Sequence, residues 1–281
     1  MSQDASSTVV FGEALVDDFL AEQVVGGAPF NVARHLAAFM APSLMITRIG
    51  SDRNGAVVRA EFERFAMSEA GLQIDAMEET GRVIVERVAK GQRFVILPGQ
   101  AYDYIDADAA LAALAAFAPR FLYFGTLVQR SERARETLYK VLEASAATGF
   151  LDLNLYPGQV EESTVLRALT AAAIVKVNEQ GLQSLFSWYF HIDHDAPPMD
   201  SEAVRAACRA LFEAFGGRRA PADGPARKGT PFLPETDEGF LSGFHTPPAD
   251  DVPFSPGEKH PALPGSAAEK KIRKVFGEND C

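Results

Sequence analysis

The chain has 281 residues, of which 47% are hydrophobic and 23% charged, so it can bury a sizeable core in one large domain or two small ones. Its formal charge of −11 disfavours non-specific nucleic-acid binding and binding to anionic membranes, because both need a positive field. No apolar run approaches the roughly 20 residues of a membrane-spanning helix, and the start MSQDASSTVV predicts no signal peptide. With only Cys208 and Cys281, the composition predicts a cytoplasmic protein without a disulfide framework.

Short apolar runs alternate with amphipathic helical segments along residues 8–215. We predict strands at 8–12, 44–49, 121–124, 150–155 and 173–177, and helices at 28–40, 162–172, 179–189 and 200–215. Two more helices are predicted from apolar stripes, at Val58, Phe62 and Phe65 and at Ala134, Leu138, Val141 and Leu142. Ser51-Asp52 offers an N-cap to the first of them. This alternation predicts an α/β fold with a mostly parallel sheet flanked by helices.

A β-hairpin interrupts the alternation. Residues 82–88 and 93–97 have the pattern of two strands, joined by a turn at Lys90-Gly91-Gln92. A hairpin this early in an α/β chain cannot easily join the parallel sheet. We therefore expect residues 82–97 to project as a small lid that excludes water from a site.

Two segments near the start carry candidate ligand-binding residues. In Gly26-Gly27-Ala28-Pro29-Phe30-Asn31, paired glycines let a ligand approach the backbone, and the Asn31 amide can donate and accept hydrogen bonds. Asp17 follows the first strand, where open α/β sheets bind ligands, and its carboxylate could accept two hydroxyl hydrogen bonds. Each segment also has an interpretation without a ligand, as a strand-to-helix turn and as a solvated loop acid or helix cap.

Other chemical motifs are weaker. The sequence contains no Walker A segment, no G-x-G-x-x-G after a strand and no Cys/His metal spacing. The segment 191–195, HIDHD, gathers two imidazoles and two carboxylates, but Pro197-Pro198 follows it and a polar loop is the favoured interpretation. The sequence therefore predicts no metal-ligating residues.

Seven segments occur in a fixed order: GEALVD, GGAPFNVARHLA, ITRIGSDRNG, TGRVIVERVAKGQRFVILPGQAYDYI, LYFGTL, FLDLNLYPG and VKVNEQGL. Together they resemble the ribokinase-like (pfkB) carbohydrate kinases, and within them the fructokinase-like branch. The resemblance covers about residues 8–190 and extends to 216 at most. It implies a parallel-sheet domain (1–216) with a β lid that transfers phosphate from ATP, with Mg²⁺, to a sugar hydroxyl.

The resemblance also implies roles for individual residues. By motif, Asp17, Gly27 and Asn31 would bind the sugar hydroxyls, and Asn178 would lie near the metal and phosphate region. The hairpin 82–97 would be the lid and also the contact of a homodimer. No nucleic acid or membrane is implied as a partner.

The sequence departs from the family pattern in three places. Tyr156 stands where the fructokinase-like branch has an arginine, and Gly181 stands where the family has a magnesium-linked glutamate. The D-T-x-G-A-G-D run is missing, and its nearest echo is Thr236–Phe244. There Pro234 and Glu235 replace amide-presenting residues, which leaves Asp237 as only a weak candidate for the catalytic base.

Residues 217–281 differ in composition from the rest, because they hold 10 of the 17 prolines. We expect regular structure to thin out beyond about residue 216. One hypothesis is a reading-frame shift near Gly216-Gly217, and another is a truncated, divergent gene. The sequence thus leaves two functions open: an ATP-dependent sugar kinase, and an inactive sugar-binding remnant or truncated product of a kinase gene.

Overall fold

Six apolar segments form one all-parallel sheet. The computed structural model describes residues 7–19, 22–88, 91–156 and 158–190. The strands are β1 (Thr8–Phe11), β4 (Ser43–Gly50), β5 (Leu72–Asp75), β8 (Phe121–Gly125), β9 (Thr148–Leu153) and β10 (Ile174–Val177). Their order in the sheet is β10-β9-β8-β1-β4-β5, and every pairing is parallel. The predicted α/β class with a mostly parallel sheet is confirmed.

Helices cover both faces of this sheet. They are α1 (Ala28–Ala38), α2 (Arg53–Arg64), α3 (Ala107–Phe117), α4 (Glu132–Ala144), α5 (Glu162–Ala171) and α6 (Glu179–Phe190). Side chains of a strand alternate between faces, so Val9 and Phe11 pack with α3 to α6 while Val10 packs with α1 and α2. Both faces of the central strand β1 are therefore buried, which explains why Val9, Val10 and Phe11 are consecutive apolar residues.

A second, four-stranded sheet contains the predicted hairpin. Its strands are β2 (Leu15–Phe19), β3 (Glu22–Gly26), β6 (Gly81–Val88) and β7 (Gly91–Ile96), in the order β3-β2-β6-β7. The hairpin β6–β7 is antiparallel, as predicted, but Gly91 and Gln92 belong to β7 and not to the turn. The prediction of a two-stranded lid was incomplete. Strand β2 pairs with β3 in an antiparallel arrangement, and β2 also pairs with β6, so all four strands belong to one sheet. We call this four-stranded sheet the lid.

The lid rests on the main domain through one face. Leu15 of β2 and Val83 of β6 pack with Leu127, which follows β8, and Phe94 and Ile96 of β7 lie against them. Asp17 is two residues after Leu15 and pairs with Val83, so it lies on this same face. The lid therefore presents Asp17 towards the carboxyl ends of the large sheet.

Other sequence predictions have mixed outcomes. The helix predicted at 28–40 ends at Ala38, and Met40 adopts a φ of 56°. Strand β5 and helix α3 were not predicted. The predictions for the helix 200–215, the 191–195 segment, Asp237 and the 217–281 tail lie outside the described residues. Within the four described stretches, no helix is long and apolar enough to cross a membrane.

The start of α2 is fastened by one carboxylate. Asp52 accepts hydrogen bonds from the Gly55 backbone N–H at 2.7 Å, the Thr80 backbone N–H at 2.7 Å and the Thr80 hydroxyl at 2.8 Å. Partial burial raises the pKa of Asp52, but these bonds outweigh it and hold the pKa below its ordinary value. Asp52 therefore ties α2 to the strand entering the lid, and it does so in its ionised form.

Asp52→Ala is expected to destabilise the protein by about 2–3 kcal/mol, because it removes a helix cap and leaves the Thr80 donors unpaired. Asp106→Ala is the matched control: Asp106 caps α3 through one bond, to Ala109 N–H at 3.0 Å, and should cost only about 1 kcal/mol. Urea unfolding at pH 7 measures both. Since the pKa of Asp52 is lowered, its contribution is full at neutral pH and disappears as the pH falls through that pKa. Equal losses for the two variants would contradict the role of Thr80.

Candidate functional site

The site lies where β1, β8 and β9 end. These parallel strands are neighbours, so the residues that follow them meet at one edge of the sheet: Glu13 after β1, Thr126 after β8 and Asn154 after β9. The Asn154 N–H donates to the Thr126 hydroxyl at 3.2 Å, which joins two of the loops. In open α/β sheets this edge is where ligands bind.

At the two glycines of the turn before α1, other atoms of the protein occupy the space that a side chain would need. A Cβ at Gly27, whose φ is 102°, would lie 2.7 Å from the Glu13 carbonyl oxygen and 3.2 Å from its Cγ. A Cβ at Gly26 would lie 2.5 Å from Oδ2 of Asp17. From the sequence, these glycines fit either an approaching ligand or a turn without one. In the structure, the turn needs glycines because the Glu13 backbone carbonyl and the Asp17 carboxylate occupy the space of a Cβ at Gly27 and Gly26.

Asp17 lies on strand β2 and not in the loop that the sequence suggested. Burial raises the pKa of its carboxyl group to about 6. No hydrogen bond to this carboxylate is formed by the described residues, in contrast to Asp18, whose carboxylate accepts from Arg82 Nε at 3.0 Å. Asp17 is therefore ionised at pH 7 with its acceptor capacity unused.

Asn31 lies in the first turn of α1, and its backbone N–H donates to the Gly27 carbonyl at 2.9 Å. Its side-chain Oδ1 is buried and has no hydrogen-bond partner in the part of the chain that the structure describes. The structure thus gathers Asp17, Gly27 and Asn31 around one turn, since Asp17 contacts Gly26 and Asn31 is bonded to Gly27.

Glu13 is a candidate that sequence reasoning missed. Its side chain is only 2% exposed, and Oε2 has no hydrogen-bond partner among the described residues. The pKa of Glu13 is raised to about 8, chiefly by burial and also by the charges of Asp152 and Asp103, although its own backbone N–H and the charge of Arg130 lower it. At neutral pH it is an uncharged acid. The available signal was an acid directly after a fully apolar strand.

The β9 side of the site contains Asp152 and two tyrosines, Tyr123 and Tyr156. Asp152 accepts hydrogen bonds from the Tyr123 hydroxyl and from Lys176 Nζ at 3.2 Å. Tyr156 keeps 40% of its surface exposed. Nevertheless, desolvation of its phenol and the charges of Glu13, Asp152 and Asp17 hold its pKa well above the ordinary value. Tyr156 therefore presents a neutral hydroxyl group near the carboxyl groups of Glu13, Asp152 and Asp17.

Arg130 is a positively charged residue near these carboxyl groups, and all three of its guanidinium nitrogens donate hydrogen bonds. It donates to both carboxylate oxygens of Asp103 at 2.9 and 2.8 Å, to the Leu97 carbonyl at 2.7 Å and to the Gln159 side chain at 3.1 Å. Its guanidinium also lies 4.9 Å from the ring centroid of Tyr102. Because Leu97 follows β7, Arg130 connects the end of the lid to the loop after β9.

Asn178 lies at the start of α6 and serves as its cap. Its Oδ1 accepts from the Gly181 backbone N–H at 2.8 Å, while Glu179 is exposed and accepts from Gln183. Asn178 was expected to lie near the metal and phosphate region, but its side-chain oxygen is already occupied by this capping bond. In the same part of the chain, no group of three His, Cys, Asp or Glu side chains could hold a metal ion. These residues do not by themselves fit a magnesium-nucleotide site.

Comparison with known proteins gives a consistent family signal. Residues 6–206 match the pfkB family of carbohydrate kinases. The chain is 27% identical over 190 residues to a fructokinase of Salmonella typhimurium, which covers 62% of this chain and 60% of that protein. It is 28% identical over 179 residues to the putative sugar kinase PH1459 of Pyrococcus horikoshii, covering 59% of this chain and 56% of that protein. The chain thus spans less than two thirds of the length of these relatives.

Solved structures show the same fold. The Xylella fastidiosa fructokinase with bound ATP superposes with a TM-score of 0.63 at 20% identity, over 74% of this chain and 69% of that one. The Pyrococcus horikoshii sugar kinase gives 0.58 at 24% identity, over 65% and 68%.

Proposed function

Because the chain belongs to the pfkB family of carbohydrate kinases, we propose that it transfers the terminal phosphate of ATP, with Mg²⁺, to a hydroxyl group of a fructose-like sugar. Asp17, Gly27 and Asn31 are the proposed sugar-binding residues. A cytoplasmic location and a homodimer formed through the lid are part of this proposal.

The observation that supports the proposal most is a concentration of unsatisfied polar groups beneath the lid. Oδ2 of Asp17 lies beside Gly26, and Cγ of Glu13 lies beside Gly27, whose carbonyl accepts from the Asn31 backbone N–H. Oδ1 of Asn31 and Oε2 of Glu13 are buried and have no hydrogen-bond partner among the described residues. Buried polar atoms normally have partners, so a set without them indicates a ligand that supplies the partners. Adjacent hydroxyl groups of a sugar match this need, because each hydroxyl both donates and accepts.

The relatives support the same substrate class. Several are fructokinases, and one solved structure, from Vibrio cholerae, contains fructose, ADP and calcium. The nucleotide side is supported by the family and by the ATP-bound relatives alone, since Asn178 is engaged as a helix cap. The sugar side is thus supported by residues of this chain, whereas the nucleotide side is supported by relatives alone. This contrast favours a second candidate function, an inactive sugar-binding remnant.

Ligand-induced thermal stabilisation separates the two functions. A kinase is expected to be stabilised by D-fructose and, independently, by Mg-ATP; at 100 times Kd each adds about 2.7 kcal/mol. A sugar-binding remnant responds to the sugar alone. ADP release in the presence of fructose then measures turnover. Stabilisation by neither ligand, in a protein that unfolds cooperatively, would refute both functions.

A further inference from the structure

Glu13 is a buried acid that the proposed function does not require. Its carbonyl oxygen and Cγ lie 2.7 and 3.2 Å from the position of a Cβ at Gly27, so the side chain starts beside the turn that leads into α1 and Asn31. One carboxyl oxygen accepts from its own backbone N–H, whereas Oε2 has no partner within the part of the chain that the structure describes. A buried polar atom left without a partner is costly, so its persistence calls for an explanation.

Charged and titratable groups of several elements interact electrostatically with this carboxyl. They come from β8 and the loop after it, the turn before α3, the end of β9 and the loop after β9, and they are Tyr123, Arg130, Asp103, Tyr102, Asp152 and Tyr156. Arg130 is committed to Asp103, and Lys176 donates to Asp152. The surroundings therefore supply Glu13 with negative neighbours and no direct cationic partner among the described residues.

Building on the proposed sugar-binding function, we propose that Glu13 is a further substrate-binding residue, that its Oε2 donates a hydrogen bond to an oxygen atom of the sugar, and that the site selects uncharged sugars over sugar acids. Burial supports the donor role, since it keeps the proton on Glu13 at neutral pH. The selection follows from the carboxylate of Asp17, which repels a substrate carboxylate, while Arg130 and Lys176 are already paired with Asp103 and Asp152.

Two sugars test the selection directly. D-Fructose and 2-keto-D-gluconate differ only at C1, which is a hydroxymethyl group in one and a carboxylate in the other. Isothermal titration calorimetry of the full chain at pH 7 should give an affinity for fructose at least tenfold higher. Equal or tighter binding of 2-keto-D-gluconate would overturn the selection.

Two substitutions test the hydrogen bond. Glu13→Gln keeps a donor in the same place and should bind fructose within about threefold of the wild type, whereas Glu13→Leu should lose about five- to tenfold. Wild-type affinity should also fall above pH 8, where Glu13 ionises and can no longer donate, while that of Glu13→Gln stays level between pH 7 and 9. A purely structural role for Glu13 predicts no such difference in pH profile.

Thr137→Val is the control for the loss of a buried polar atom. Thr137 lies on α4, and its hydroxyl donates to the Ile105 carbonyl at 2.9 Å. It should lower the thermal stability and leave fructose affinity unchanged. If Glu13→Leu does not fold, the pH profiles of the wild type and Glu13→Gln decide the question. Unchanged affinity in Glu13→Leu, or parallel pH profiles, would overturn this inference alone. A wild type that binds no fructose would overturn the proposed sugar site as well.

Discussion

Asp17→Ala is expected to weaken fructose binding by about 100-fold, because two charge-assisted hydrogen bonds to sugar hydroxyls would be lost. The carboxylate receives no hydrogen bond from the described part of the chain and is held against Gly26, so its acceptor capacity is available to a ligand. The thermal stability should not fall, since burial raises the pKa of Asp17 to about 6 and its charge opposes folding at pH 7. Calorimetric titration with fructose, together with a melting curve, measures both effects.

Asp18→Ala is the matched control for this experiment. Asp18 is the next residue of β2, lies on the other face of the lid and pairs with Arg82. It should leave fructose affinity within about twofold of the wild type, because its carboxylate lies on the face of the lid opposite to that of Asp17. Wild-type affinity should decrease below pH 6 as Asp17 takes up a proton, and this decrease should be absent from Asp17→Asn. Equal effects of the Asp17 and Asp18 substitutions would remove Asp17 from the site.

Arg130→Met is expected to cause the largest loss of stability, about 3–5 kcal/mol, because it leaves the buried carboxylate of Asp103 without its counter-ion. The two side chains are only 9% and 6% exposed, so water cannot replace the lost partner. The bonds to the Leu97 carbonyl and to Gln159 disappear with it, which loosens the end of β7. Chemical unfolding monitored by circular dichroism measures the change.

Two further variants identify the cause. Arg59→Ala removes an ion pair of similar geometry, at 2.8 Å to Glu69, whose side chains are 54% and 46% exposed. It should cost at most about 1 kcal/mol. The double variant Arg130→Met with Asp103→Leu should recover much of the loss, because an apolar pair leaves no buried charge. Failure of the second substitution to restore stability would show that other bonds dominate, either those of Arg130 or the one that Asp103 accepts from the Gln100 N–H at 2.9 Å.

Local patterns were sufficient for much of the fold. Runs such as Thr8–Phe11 and Phe121–Gly125 are apolar throughout because both faces of a central parallel strand are buried, and that property is visible in any short window. The lid was only half predicted. In Leu15–Phe19 two adjacent acids break the apolar alternation, and the strand exists because it pairs with β6, more than 60 residues further along the chain.

The candidate site divides in the same way. Residue types and spacing in the sequence singled out Asp17, Gly27 and Asn31, and the family resemblance added Asn178. The structure places the first three around one turn, while Asn178 caps a helix. The neutral state of Glu13 and the pairing of Arg130 with Asp103 were not predictable from the sequence. Hydrophobic period and turn chemistry act between close neighbours in the chain, so the sequence alone determined the α/β class and the position of the turn before α1. Desolvation and charge pairing depend on distant segments brought together by folding, so only the tertiary structure decided which of the polar side chains are buried, paired or left for a ligand.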